Sequence, residues 1–144
     1  MKKRVSIVLI VALLLSMFAI PANAAVPISN GTRASNYFTC YGTTLSRQGG
    51  GKLLITFSTT GVGLCDVLGV ATFRVECLDA NTGNWYSVTG DVSGETGSSV
   101  PSYTFSRYFY GTAGKTYRVC VTFICVKNNG AETKTHTSQA VTAY

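Results

Sequence analysis

The stretch Tyr117-Arg118-Val119-Cys120-Val121-Thr122-Phe123 alternates without a break. In an extended chain Tyr117, Val119, Val121 and Phe123 share one side, and Arg118, Cys120 and Thr122 the other. That period of two is the mark of a half-buried β-strand, because successive side chains of a strand point to opposite faces. Gly111-Thr112-Ala113-Gly114 turns the chain into this segment. Asn128-Asn129-Gly130 turns it out again, and suits the two positive-φ residues of a type I′ hairpin. A last strand is expected from about Glu132 to Ala143.

Earlier segments repeat the pattern. A first strand is expected from Tyr37 through Cys40 and Tyr41 towards Leu45, and the glycines of Gln48-Gly49-Gly50-Gly51 make a turn. From Lys52 to Thr60, Leu53, Ile55 and Phe57 oppose Thr56 and Ser58. Gly61-Val62-Gly63-Leu64-Cys65-Asp66 reads as a loop. From Val70 to Leu78, Ala71, Phe73, Val75 and Cys77 are expected inside, with Thr72, Arg74 and Glu76 outside. The turn Asn81-Thr82-Gly83-Asn84 leads to a strand over Trp85 to Thr89. A Gly/Ser-rich connection from Asp91 to Pro101 leads to another over Ser102 to Tyr110, with Tyr103, Phe105 and Phe109 on one face. No segment keeps a helical period over more than two turns. Seven or so short strands with frequent turn signals predict an all-β sandwich of antiparallel strands.

Two resemblances extend this reading. The opening tyrosine, the alternating strand, the Asn-Gly hairpin and the Thr/Ser-rich end, from Thr116 to Ala143, resemble the last two strands of a fibronectin III or immunoglobulin-like domain. The resemblance implies that Tyr117 is structural, bonding back to the corner before its strand. Across most of the chain, Asn36-Tyr37-Phe38-Thr39-Cys40-Tyr41-Gly42, the glycine turn before Lys52, Gly114-Lys115-Thr116-Tyr117-Arg118 and Val121-Thr122-Phe123 resemble a second group. These are small secreted single-domain proteins of Gram-positive, clostridial-type gut bacteria, catalogued as a domain of unknown function. That resemblance implies secretion and a β-sandwich, and no activity. The chain departs from the group mainly in its cysteines, where small polar or aliphatic residues are expected.

Residues 1–24 carry the export signal. Lys2, Lys3 and Arg4 precede an apolar run from Val5 to Ile20, and Ala22-Asn23-Ala24 offers small residues for cleavage after Ala24. The run is sixteen residues, short of the roughly 20 that a membrane-spanning helix needs. The expected organisation is a signal-peptide helix over 1–24, a flexible arm over 25–35 and one sandwich domain over 36–144, released outside the cell with no membrane span. Cleavage leaves 120 of the 144 residues, with nine Lys/Arg against six Asp/Glu. The nine are scattered and form no phosphate-tracking stripe, so nucleic acid is not an expected partner.

Five cysteines, Cys40, Cys65, Cys77, Cys120 and Cys125, cannot all pair. The fibronectin-like order implies that Cys65 lies at the same pole as Cys125, which favours a bridge between them; the alternative is that all five stay reduced. Cys77 is expected in the core. Cys120 is expected to face outward as a free thiol or a dimer link.

Catalytic signals are sparse. The one histidine, His136, could form a dyad with Cys120, since their strands are expected to pair in the same sheet, and the competing reading is an exposed strand histidine. The six carboxylates fall mostly in separate turns, away from the facing pair that glycoside hydrolysis needs. Asp79-Ala80-Asn81-Thr82-Gly83-Asn84 faintly resembles a calcium loop, but Gly90 stands where its twelfth, acidic ligand belongs, so a turn is expected. No metal and no cofactor is expected. Trp85, Tyr86 and Tyr108 are the candidate binding residues. Tyr108 is expected to point outward with Thr104 and Ser106, and to lie on a different face from Tyr110. The expected function is an exported, non-enzymatic binding or interaction module with an extracellular protein or glycan partner; the alternative is a small carbohydrate-binding module using those aromatics.

Overall fold

The computed structural model describes residues 35–144. The signal peptide expected over 1–24 and the arm expected over 25–35, except Ser35, lie outside the described residues. Ser35 is tied down: its hydroxyl donates to Glu132 Oε2 at 2.9 Å and accepts from the Phe38 N–H at 2.8 Å.

The described chain is all antiparallel β. Its strands are β1 (Phe38–Gly49), β2 (Lys52–Leu78), β3 (Trp85–Ser87), β4 (Val92–Ser93), β5 (Thr96–Tyr110), β6 (Thr116–Lys127), β7 (Gly130–Thr137) and β8 (Val141–Thr142). The first half of β2 pairs with β1 and β5, and the β5 ladder resumes from Cys65 to Gly69; the second half of β2 pairs with β3, β4 and β6, and β6 pairs with β7 and β8. One layer is therefore β1–β2–β5, and the other is β3/β4–β2–β6–β7. This is the expected immunoglobulin/fibronectin III-like sandwich. The layers meet through rings: Phe57 lies 4.9 Å from Phe73, Tyr41 lies 5.4 Å from Phe123, and Phe109 lies 5.1 Å from Tyr117.

Two departures from the periodicity matter. Residues 61–66 are part of β2, which runs on for 27 residues and passes from one layer to the other. Gly61 and Gly63 read as loop residues, yet the same freedom lets a strand bend: Gly63 sits at φ 74°. Second, a bulge between Val70 and Thr72 shifts the register by one residue. Val70 is therefore buried in the place expected for Ala71, which is only half-buried, while Phe73, Val75 and Cys77 keep the core face. The Asn128–Asn129 hairpin is as read, with φ 51° and 61°.

The core holds Leu53, Ile55 and Phe57 against Val75, Val119, Val121 and Phe123. Two hydroxyls intrude on it. Thr43 and Thr59 are buried, and neither Oγ1 has a hydrogen-bond partner. An unpaired buried polar group costs about 1–3 kcal/mol. Thr59→Val, of nearly the same shape, is expected to raise unfolding stability by about 1 kcal/mol. Chemical denaturation checks this, and a variant no more stable than wild type would mean that the hydroxyl is satisfied in solution.

Candidate functional site

The outer face of β1–β2–β5 is built by register. Because Leu53, Ile55 and Phe57 point into the core, Lys52, Leu54, Thr56, Ser58 and Thr60 point out. Their cross-strand partners complete transverse rows: Ser46–Leu54–Tyr108, Thr44–Thr56–Ser106 and Gly42–Ser58–Thr104. The hydroxyls bond across the strands, Thr56 Oγ1 to Ser106 Oγ at 2.9 Å and Thr104 Oγ1 to Ser58 Oγ at 3.3 Å. At one end of the face Tyr108 is 55% exposed and Tyr110 is 73% exposed. Lys52 Nζ lies 3.8 Å from the Tyr108 ring centre and 5.4 Å from that of Tyr110, within cation–π range of both. These three rows contain no charged side chain, and Lys52 stands opposite Tyr110 at their end.

Tyr110 is thus a neighbour of Tyr108, not a resident of the other face. The correction is visible in the sequence: two residues along a strand return to the same side. Such a surface can stack a flat ring against two tyrosines and exchange hydrogen bonds with hydroxyls beside them.

Trp85 and Tyr86 do not join this site. They lie on β3, in the other layer, paired with Leu78 and Cys77. Tyr86 is half exposed, and the Cys77 thiol opposite it holds its phenol above the ordinary value. Trp85 is half-buried beneath the Arg118 guanidinium, 4.2 Å from its ring centre.

Arg118 belongs to an ion cluster that alternation alone conceals. Glu76 lies on the outward side of β2, as expected, but is only 7% exposed. Arg74 Nε donates to Oε1 at 2.9 Å, while Arg118 donates from Nε at 2.8 Å and Nη2 at 2.7 Å to Oε2. The hydrogen bond from Arg74, then that from Arg118, holds the Glu76 carboxyl below its ordinary value, against the opposing effect of burial. Arg74 also reaches Asp91 at 3.6 Å. Cys120 lies beside this cluster in a shallow hollow with Arg74, Thr122 and Thr137, half-buried and touching Thr137 Oγ1 at 3.6 Å.

Cys120 and His136 form no dyad. Cys120 pairs with Thr137, and His136 pairs with Val121, whose side chain points into the core. Side chains of directly opposed residues share a face, so the thiol and the imidazole lie on opposite faces of the sheet. Nor is His136 a fully exposed strand histidine. It is half-buried, edge-on to Tyr41 at 6.4 Å, and burial lowers its pKa.

The chain matches no protein-family model and no curated protein. Its remaining sequence-marked residues have structural settings. Tyr117 is buried, and its hydroxyl accepts from the Thr112 N–H at 2.8 Å, back across the corner before β6. A Cβ on Gly111 would strike the Tyr117 ring at 2.7 Å, which explains a glycine there. Asp79 closes its own turn, accepting from the Asn81 N–H at 2.9 Å. Cys65 and Cys125 are fully buried with their sulfurs 3.0 Å apart. Among the described residues no group of three or more His, Cys, Asp or Glu side chains is placed to hold a metal ion, and no helix is long and apolar enough to cross a membrane.

Proposed function

We propose that this chain is an exported, non-enzymatic binding module that works outside the cell through the outer face of β1–β2–β5. The observation that carries the reading is the pair of exposed rings, Tyr108 and Tyr110, gathered by Lys52 at the end of a face covered in hydroxyls. Tyrosines of this kind dominate binding surfaces, because a rigid ring offers contact area at low entropic cost and carries a polar tip. The basic, apolar and small-residue succession of residues 1–24 supports export.

A second reading, a carbohydrate-binding module, is favoured by the neighbours of those rings. Thr56, Ser106, Ser58 and Thr104 supply donors and acceptors without charge, the match for a neutral sugar. Trp85 and Tyr86 have no part in it, since they occupy the other layer.

The test is a glycan array and a protein pull-down with the exported protein, each repeated with Tyr108→Ala/Tyr110→Ala and with Trp85→Ala. The tyrosine variant is expected to lose binding by at least about thirtyfold, the scale of a hot-spot residue, while Trp85→Ala binds as wild type. Glycan binding lost in the tyrosine variant selects the second reading. Binding of any ligand that survives removal of both tyrosines would overturn the assignment of the face.

A further inference from the structure

We infer that Cys65 and Cys125 are joined by a disulfide that closes while the exported chain folds and is then sealed inside it. Cys65 lies on β2 where the strand crosses between the layers, and Cys125 lies near the end of β6. Their sulfurs are 3.0 Å apart and both residues are 0% exposed. A movement of about 1 Å brings the sulfurs to bonding distance, about 2.05 Å. The other three cysteines have different neighbours: Cys40 is opposed to Thr60, Cys77 faces the Leu78 carbonyl, and Cys120 faces Thr137.

The position gives the bond a purpose. Pairing of β2 with β5 is interrupted between Thr60 and Cys65, so the crossing lacks part of its ladder. Val62 and Leu64 are exposed there. The β2–β6 ladder reaches only to Val67–Val126, and before it the crossing is tied to the far end of β6 by polar contacts. Lys127 Nζ donates to the Val62 carbonyl, and the Asn128 N–H donates to Asp66 Oδ2 at 3.0 Å. A covalent link from Cys65 to Cys125 fastens the same two segments. Gly61 leaves room for it, since a Cβ there would collide with the Cys65 sulfur.

Burial also sets the order of events. The thiolate is the reactive form of cysteine, and burial pushes the Cys125 thiol up to about 12. No oxidant reaches a fully buried sulfur, so the exchange takes place before the pole closes. One cysteine thiolate attacks a disulfide of an extracytoplasmic thiol oxidant, forming a mixed disulfide and releasing one oxidant thiolate. The second cysteine thiolate attacks the protein sulfur of that mixed disulfide, forming the Cys65–Cys125 bond and releasing the other. Two protein thiols give up two protons and two electrons, and one oxidant disulfide becomes two thiols.

The test is thiol counting on the protein secreted by cells that express residues 1–144. Alkylation in guanidinium without reductant is expected to label three of the five cysteines, and a peptide map is expected to join Cys65 to Cys125. Dithiothreitol on the native protein should leave the count at three, and dithiothreitol with guanidinium should raise it to five. Five labels without reductant, or a cross-link between any other pair, would overturn the bond. Opening by dithiothreitol in the native state would overturn the sealing. In Cys65→Ser the count should become four, and because the peptide map is made on the natural sequence, poor folding of that variant leaves the test intact.

Discussion

Phe57→Ala is expected to cost about 4 kcal/mol of unfolding free energy, the range for removing a fully buried aromatic ring. Phe57 is 1% exposed and touches both layers: its ring stacks on Phe105 at 4.7 Å within its own layer and meets Phe73 at 4.9 Å in the facing one. The backbone there cannot close over the void. Residue 57 is paired to Thr43 on one side and to Phe105 on the other, so its strand is held by ladders at both edges. A cavity that stays open adds its own cost to the lost transfer free energy. The loss is a large share of the roughly 5–15 kcal/mol that stabilises an ordinary domain. Guanidinium unfolding of Phe57→Ala measures it. Thr56→Ala, one residue away and facing out, is the control and should cost no more than about 1 kcal/mol, the scale of its cross-strand bond to Ser106. A loss under about 1 kcal/mol in Phe57→Ala would contradict the packing of the two layers on this ring.

Glu76→Ala has the second largest expected effect, about 2 kcal/mol at neutral pH. Breaking a buried ion pair costs about 3–5 kcal/mol, but Arg74 and Arg118 keep side-chain exposures of 45% and 30%, and water recovers part of the loss. The pH dependence identifies the cause. The folded carboxyl sits below its ordinary value of 4.5, so Glu76 stabilises the fold fully above that value and loses its contribution as pH falls through the folded pKa. The gap between wild type and variant should therefore be widest near neutrality and narrow below about pH 4.5. Asp79 and Glu132 are also lowered, by the Asn81 N–H and by Lys134 respectively, so both proteins keep some acid sensitivity. The difference between the two curves isolates Glu76. A gap that stays constant from pH 7 to pH 3 would disprove the assignment. Fluorescence gives a second readout, because the one tryptophan, Trp85, lies under Arg118 and should change emission when that arginine is released.

The contrast between Tyr108 and Trp85 shows where the candidate site could be read in advance. The outward position of Tyr108 follows from Phe105 and Phe109 facing the core, and the hydroxyls beside it follow from the same alternation. Tyr110 belongs with Tyr108 by that rule too. Separating Trp85 and Tyr86 from them required knowing that β3 pairs with the end of β2, at Glu76–Leu78, and the tyrosine end of β5 with its start, at Lys52–Thr60, and nothing local to residues 85–87 says so. Glu76 shows the same limit. Its outward direction was legible, but its cover comes partly from Arg118, 42 residues away.

By itself the sequence determined the strand faces of the first half of β2 and of β6, the Asn128–Asn129 hairpin and the all-β class. Each depends on how neighbouring residues divide between water and the interior, or on which residues accept positive φ. The tertiary structure alone decided that residues 61–66 continue a strand, that a bulge moves Val70 into the core, that Cys120 and His136 face apart, and that Cys65 and Cys125 meet at 3.0 Å. These are matters of register between segments far apart in the chain, where a shift of one residue reverses every face.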